Sequence, residues 1–397
     1  YNAQTEINFF LDEAMKAAKV VAEKLVNDLA VNTGAAEGMD ASYKSLNDYY
    51  CMFCDTDMDK YSEVLMWREY IEAQGITHNI QMQLQDNGGG SGWTRGLVNS
   101  FVMENGYPIY HANSGYDAEW EKAGVKATLQ NRDSRIQIFT KKDGDIDRYN
   151  ADGSEVKFDM SFLLDDAQVR YVTGFGIKKG KHYNSYMQTA HDKGTTGSVV
   201  FRGTEALLNY IEASCEANDG KSIDDFAAKY WKALRKRAKI AEDYMITVNA
   251  TDLAKEAEGD WGVYSKGQPV SELLYNVRRE RRNELIGEGM RMADLKRWRA
   301  LDQVKNYHVK GIRYWGSIYE SQLASNCNTD AASGKANMSA PELGVYVIPN
   351  QINKVNNLVW DGYNWCEAHY LTPLPMSVFR ETATGDKTDL TTSNVYQ

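Results

Sequence analysis

A chain of 397 residues, 43% of them hydrophobic, is long enough to bury a substantial core, which excludes a disordered protein. A formal net charge of -10 argues against nucleic acid or an anionic membrane surface as the partner. No apolar run reaches the roughly 20 residues that a membrane-crossing helix needs.

No signal peptide or lipid-attachment cysteine opens the chain. Tyr1 starts close to a helical pattern, so the chain reads as mature, trimmed or truncated. Composition adds 25 Tyr and 9 Trp, side chains that serve both recognition surfaces and helical cores; on composition alone the core is the better reading.

In chain order, Phe9, Phe10, Ala14, Ala17, Val21, Leu25 and Leu29 recur every three or four residues and predict a long helix over 7–29. Ala14, Ala17, Ala18 and Ala22 permit close helix contact, as in tetratricopeptide-like hairpins, although no clean repeat can be counted. A Gly-rich loop over 32–41 follows. Cys51 and Cys54 form a lone CxxC without the second pair a zinc site needs. With Cys215, Cys327 and Cys366 they make an odd number, which predicts isolated and mostly buried thiols. Asp55, Asp57 and Asp59 alternate as in a calcium loop, but Lys60 stands where that loop needs Gly and Met66 where it needs Glu. A solvated acidic turn is therefore preferred to calcium, and no cofactor is expected.

The segment over 75–120 carries the most chemistry. Gly88, Gly89, Gly90 and Gly92 form a loop that lets backbone approach a ligand, and Trp93 follows directly. Thr94 caps a short helix over 95–102. Trp93, His78, Asn79, Asp86, Asn87, Tyr110 and Trp120 are the candidate ligand-binding residues. Amides, a carboxylate and rings supply what sugar hydroxyls and sugar faces require. Any one ring, Trp93 included, also fits a plug over the core beneath it; the cluster as a whole reads as a recognition surface.

Asp143-Gly144-Asp145 and Asp152-Gly153 read as turns between short strands. Arg132 and Arg135 are expected to pin a turn before a strand over 136–140. A helix over 222–238 is capped by Ser222. Ser271 then caps a helix with Leu273, Leu274, Val277, Leu285 and Ile286 on one face; Gly287 and Gly289 break it, and Met290, Met292, Leu295 and Trp298 mark a second helix packed back on it. Arg278, Arg279, Arg281 and Arg282 interleave there with Glu280, Glu284 and Glu288. Spacing pairs Arg281 with Glu284 and Asp294 with Arg297. Some of these arginines are expected to be partly buried and held by bidentate partners; a solvent-facing charged helix is the alternative. Beyond Trp298, the aromatic run Tyr307, Tyr314, Trp315 and Tyr319 reads as a second ligand rim or as packing. A surface loop over 325–339 and a short strand over 345–349 complete the pass. No GxSxG, HExxH or phosphate loop is present, and no carboxylate pair stands in a recognisable catalytic motif.

RRERRNELIGEGMRMADLKRW, residues 278–298, resembles the C-terminal signature of the SusD/RagB family, written RRERR-x-EL-x-x-EG-x-R-x-x-DLKRW. Shorter stretches are similar to other family motifs: 47–53 and 62–67 to DYxxLF…EVI, LVNSF…NG to LVDSY…DG, and 369–375 to the closing YLxPIP. Residues 199–213 look like the xxRxAExLLNYAEA helix with Gly203-Thr204 in place of Tyr-Ala, and 132–135 like RDPR with Ser134 for Pro. The resemblance thereby implies a helix over 199–213 that forms one hairpin with the helix over 222–238.

The resemblance implies a mostly α fold of tetratricopeptide-like helical hairpins forming a platform, with a loop-rich region containing short β-hairpins. The platform is expected over 1–31 and 198–300, and the loop-rich ligand-binding and C-terminal region over 32–197 and 301–397. The whole is one unit lacking the family's N-terminal portion, with its lipobox, first helices and aromatic loop. It further implies non-catalytic binding of oligosaccharide or polysaccharide on the outer face of the outer membrane. A SusC-like TonB-dependent transporter is the expected partner, and membrane contact comes only through a lipid anchor absent here. A tetratricopeptide-like protein-interaction scaffold is the alternative, and a glycoside hydrolase a distant third.

Overall fold

The computed structural model describes residues 2–85, 90–165, 171–371 and 374–382. Helix α1, Ala3–Leu25, begins where the Asn2 side chain accepts the Gln4 N–H at 3.1 Å. Ala18, Ala22 and Leu25 form its buried stripe, whereas Phe9 and Phe10 stay exposed. Strand β1 is Val64–Arg68. Helix α2, Arg95–Ser100, is capped by Thr94, whose hydroxyl accepts the Leu97 N–H at 3.2 Å. Helix α3 is Ser134–Ile138; strands β2, Ile146–Tyr149, and β3, Glu155–Lys157, pair antiparallel across the turn that holds Asp152-Gly153.

Strand β4, Ser198–Arg202, pairs antiparallel with β1 and leads directly into α4, Thr204–Ala217. At the junction α1 sits close on Gly203: a Cβ there would lie 1.7 Å from Leu25 Cδ1, so a larger residue would require that side chain to shift. Helix α5, Asp225–Arg237, and helix α6, Glu272–Glu284, pack on other faces of α4, which is the centre of the helical layer. Helix α7, Arg291–Arg297, follows α6 after a tight turn. One core lies among α1, α4, α5 and α6, with Trp231, Tyr230, Leu207 and Ile211 buried. A second core, with Tyr49, Tyr50, Phe101, Phe139 and Tyr183, fills the loop-rich remainder. This is the mostly α platform with short β-pairs that the sequence predicts.

Several local expectations are corrected. The expected strand over 136–140 is helix α3, because Asp133 caps it and its Ile136 and Ile138 both point into the core. The expected helix over 199–213 opens as strand β4, since its first residues pair with β1. The α5 cap is Asp224, which accepts the Ala227 N–H at 2.8 Å, rather than Ser222. The strand expected over 345–349 reduces to an isolated bridge between Arg313 and Tyr346. Ser271 does cap α6, accepting the Leu274 N–H at 3.1 Å. Cys51, Cys54 and Cys215 are buried free thiols, Cys327 is half-buried and Cys366 exposed.

The arginine–glutamate run is buried, so the solvent-facing reading fails. Arg278, Arg279 and Arg281 are all under 5% exposed. Glu284 meets Arg135 at 3.0 Å, Arg202 at 3.0 Å and Arg237 at 2.6 Å. Glu63, carried next to β1, takes Arg202 at 2.8 Å and Arg237 at 2.5 Å. Arg281 pairs with Asp294 at 2.9 Å, not with Glu284; the expected Asp294–Arg297 pair forms at 2.9 Å. Burial alone would raise the Glu284 carboxyl; Arg237, Arg202 and Arg135 overcome this and hold it well below the usual carboxylate range.

Candidate functional site

The α6–α7 turn is shaped by Gly287, φ +74°, and Gly289, φ +81°, left-handed conformations that favour glycine. Trp93 packs against it: a Cβ on Gly287 would lie 3.2 Å from Trp93 Cη2. The indole N–H donates to the Phe139 carbonyl at 3.0 Å, and the ring is 6% exposed. Trp93, Leu285 and Gly287 thus form a wall with a hollow on each side.

The first hollow, about 570 Å³, lies beside β4 and is bounded by Phe53, His78, Ile80, Trp93, Lys179, Arg202 and Glu288. Its charges are balanced. Lys179 bridges Glu288 at 2.6 Å and the Ile286 carbonyl at 2.8 Å, and Arg202 takes Glu288 at 2.7 Å. Burial draws the Lys179 amine down to about 8 despite Glu288. The His78 Nδ1 accepts the Ile80 N–H at 3.2 Å, which leaves the proton on Nε2, 2.9 Å from the Thr196 carbonyl. Burial holds that imidazole below the ordinary histidine range.

The second hollow, about 810 Å³, is walled by rings: Trp261, Tyr307, Tyr363 and Trp365, with Trp93 at its edge. Trp261 and Tyr307 meet edge to face at 5.2 Å and 90°. Its floor is Leu285, Ile286, Leu295 and Leu301. Arg282, Arg291 and Lys296 also line it. Behind the wall, buried Asp260 takes Arg282 at 2.9 Å and Arg291 at 2.5 Å. Burial opposes the charge on Asp260, but the two guanidiniums hold its carboxyl well below the usual range. Flat rings over an apolar floor, with donors at the edge, suit a ring-shaped polyol with apolar faces.

Of the residues singled out in the sequence, Trp93 and His78 meet in the first hollow. Asn79 sits beside His78, but its side-chain oxygen is taken by the Asp192 N–H at 2.6 Å. Asp86 and Asn87 lie outside the described residues. Tyr110 borders neither hollow; its hydroxyl donates to Glu256 at 2.8 Å. Trp120 likewise stands apart, edge-on to Tyr116 at 5.5 Å. In the run over 307–319, Tyr307 lines the second hollow, whereas Tyr314 and Tyr319 are buried packing. Trp261, Tyr363 and Trp365 were not anticipated; their signal was aromatic side chains in aperiodic, polar stretches, Gly-Asp-Trp and Tyr-Asn-Trp. In the acidic turn, Asp55 pairs with Lys60, and Asp59 accepts the Trp67 indole N–H at 2.8 Å.

Comparison with known proteins gives a family and a fold. The model of the SusD family matches residues 57–380. A SusD-like carbohydrate-binding protein from Bacteroides fragilis NCTC 9343 superposes with a TM-score of 0.51 at 18% identity, over 92% of this chain and 60% of that one. A second SusD-like protein from the same organism matches at 20% identity and a TM-score of 0.49, over 78% of this chain and 54% of that one. The chain therefore spans little more than half the length of these structures. No curated protein matches. With the family model extending over most of its length, the chain belongs to the SusD family.

Proposed function

We propose that this chain binds oligosaccharide or polysaccharide without breaking it, at the ring-lined hollow between α7 and the segments carrying Trp261, Tyr307, Tyr363 and Trp365. The observation that carries this reading is the set of four rings around an apolar floor in a hollow of about 810 Å³. Family membership supports it, as does the carbohydrate binding named for the B. fragilis protein of similar fold. Trp93 acts as the wall from which both hollows are built, and His78 edges the first hollow as a secondary surface, with Asn79 beside it in the chain. The platform over 1–31 and 198–300 holds the loop-rich region over 32–197 and 301–397 in place. The ligand then passes to a SusC-like TonB-dependent transporter at the outer face of the outer membrane, where a lipid anchor holds the complex. Among the described residues no helix is long and apolar enough to cross a membrane.

The test is isothermal titration against a glycan panel, with Trp365→Ala beside the parent chain. Heat that is lost in the variant supports the reading; no heat with any glycan removes it. A reducing-sugar assay run alongside is expected to show no turnover.

One observation favours a protein partner as well. Leu65, Met66, Val200 and Phe201 on the β1–β4 pair are each about half exposed. Apolar patches of that kind mark interaction surfaces. Capture of protein partners that persists when the ring-lined hollow is disabled would favour the scaffold reading.

A further inference from the structure

The second hollow is cationic in an acidic protein. Arg282, Arg291 and Lys296 line it, and no aspartate or glutamate does so among the described residues, although the chain as a whole carries a net charge of -10. The first hollow differs: Lys179 and Arg202 face Glu288 there, and each is paired with it. In the second hollow three basic side chains stand against one carboxylate, Asp260, which is buried behind the wall and shared by Arg282 and Arg291. Lys296 has no ion pair or hydrogen bond to its side chain among the described residues and is half-buried. Two buried donors at this hollow, the Arg291 Nη1 and the Trp365 Nε1, have no hydrogen-bond partner among the described residues. Buried donors are ordinarily satisfied. Cations and orphaned N–H groups beside stacking rings form a site for an anion carried on a sugar.

We propose that this hollow selects anionic sugar units, bearing a uronate carboxylate or a sulfate ester, over neutral ones. The inference rests on the carbohydrate reading above and adds the charge of the ligand. The rings of Trp261 and Trp365 take the sugar face, and Lys296 with the outer edge of Arg291 takes the anion, which accepts hydrogen bonds from both. Lys296 is the residue to test. Replacing Arg282 or Arg291 would leave buried Asp260 short of a partner and confuse binding with folding.

The experiment titrates an oligogalacturonate and its full methyl ester, which share rings and linkages and differ in charge. A sulfated galactan oligomer and its desulfated form make a second pair. The expected result is about tenfold tighter binding of at least one anionic form than of its neutral counterpart at low salt. The gap narrows as sodium chloride rises. In Lys296→Gln, checked for an unchanged melting temperature, the ratio of the two affinities falls toward one. Whichever pair shows the preference tells carboxylate from sulfate. Neutral oligomers bound as tightly as both anionic ones would overturn the charge selection and leave the carbohydrate reading standing. No binding of any oligomer, charged or neutral, by folded protein would overturn both.

Discussion

Arg237 donates to Glu284 at 2.6 Å, and both side chains are buried. The pair joins α5 to the end of α6, and the same carboxylate also meets Arg135 from α3 and Arg202 from β4. Four elements therefore share one buried anion. Removing it leaves three guanidiniums without their common acceptor, and breaking a buried pair by deleting one partner costs about 3–5 kcal/mol. Glu284→Gln is expected to lower stability by that order, read as a fall in the urea midpoint with the slope unchanged. A loss below about 1 kcal/mol would show that the lattice is not what joins the elements.

Acid should weaken the fold in two stages. Burial draws the His182 imidazole down to about 4, and its Nδ1 accepts the Asn184 N–H at 3.0 Å. The unfolded chain, with an ordinary histidine value near 6.5, takes up the proton first as pH falls. Stability is then lost between about pH 6.5 and 4, by about 3 kcal/mol for this group. Glu284 acts lower: its stabilisation is full above the ordinary carboxylate value and is lost as pH drops through its depressed one. Denaturation free energies measured from pH 7 to pH 4 should decline, and His182→Gln should flatten that decline.

Trp93 and Trp365 should separate stability from binding. Trp93 is sealed in the wall and hydrogen-bonded to Phe139, so Trp93→Ala is expected to cost about 3–5 kcal/mol of stability. Trp365 is half-buried at the hollow. Its replacement by alanine should change the melting temperature little and weaken glycan binding by about tenfold, on the scale of a lost stacking ring. Equal stability losses in the two variants would count against this division of labour.

Gly287 links the turn to both hollows. Alanine there meets a left-handed φ of +74° and a ring carbon of Trp93 at 3.2 Å. The conformation alone costs about 1–2 kcal/mol. Gly287→Ala should therefore destabilise by at least that much and shift tryptophan fluorescence as the Trp93 ring is displaced. An unchanged spectrum with unchanged stability would show that the turn has room to spare.

The sequence by itself determined the elements whose signals are local. Ser271 before the Leu274 and Val277 stripe, the Gly287 and Gly289 break, and the Thr94 cap each act within a turn of helix, and each stands where it was read. The dense arginines between apolar residues pointed to partial burial of some of them, with a solvent-facing helix as the open alternative, and only the packed structure decided between the two. Tertiary structure alone decided which charges meet: Arg281 finds Asp294 rather than Glu284, because Glu284 is claimed by guanidiniums from three other elements. It also made 134–138 a helix where a strand over 136–140 was expected after the turn at Arg132 and Arg135. It sealed Trp93 into a wall and assembled the ring-lined hollow from Trp261, Tyr307 and Trp365, which lie far apart in the chain. Spacing along a chain encodes neighbours within a few residues; a cavity is a gap left between elements, and its lining is fixed only when they pack.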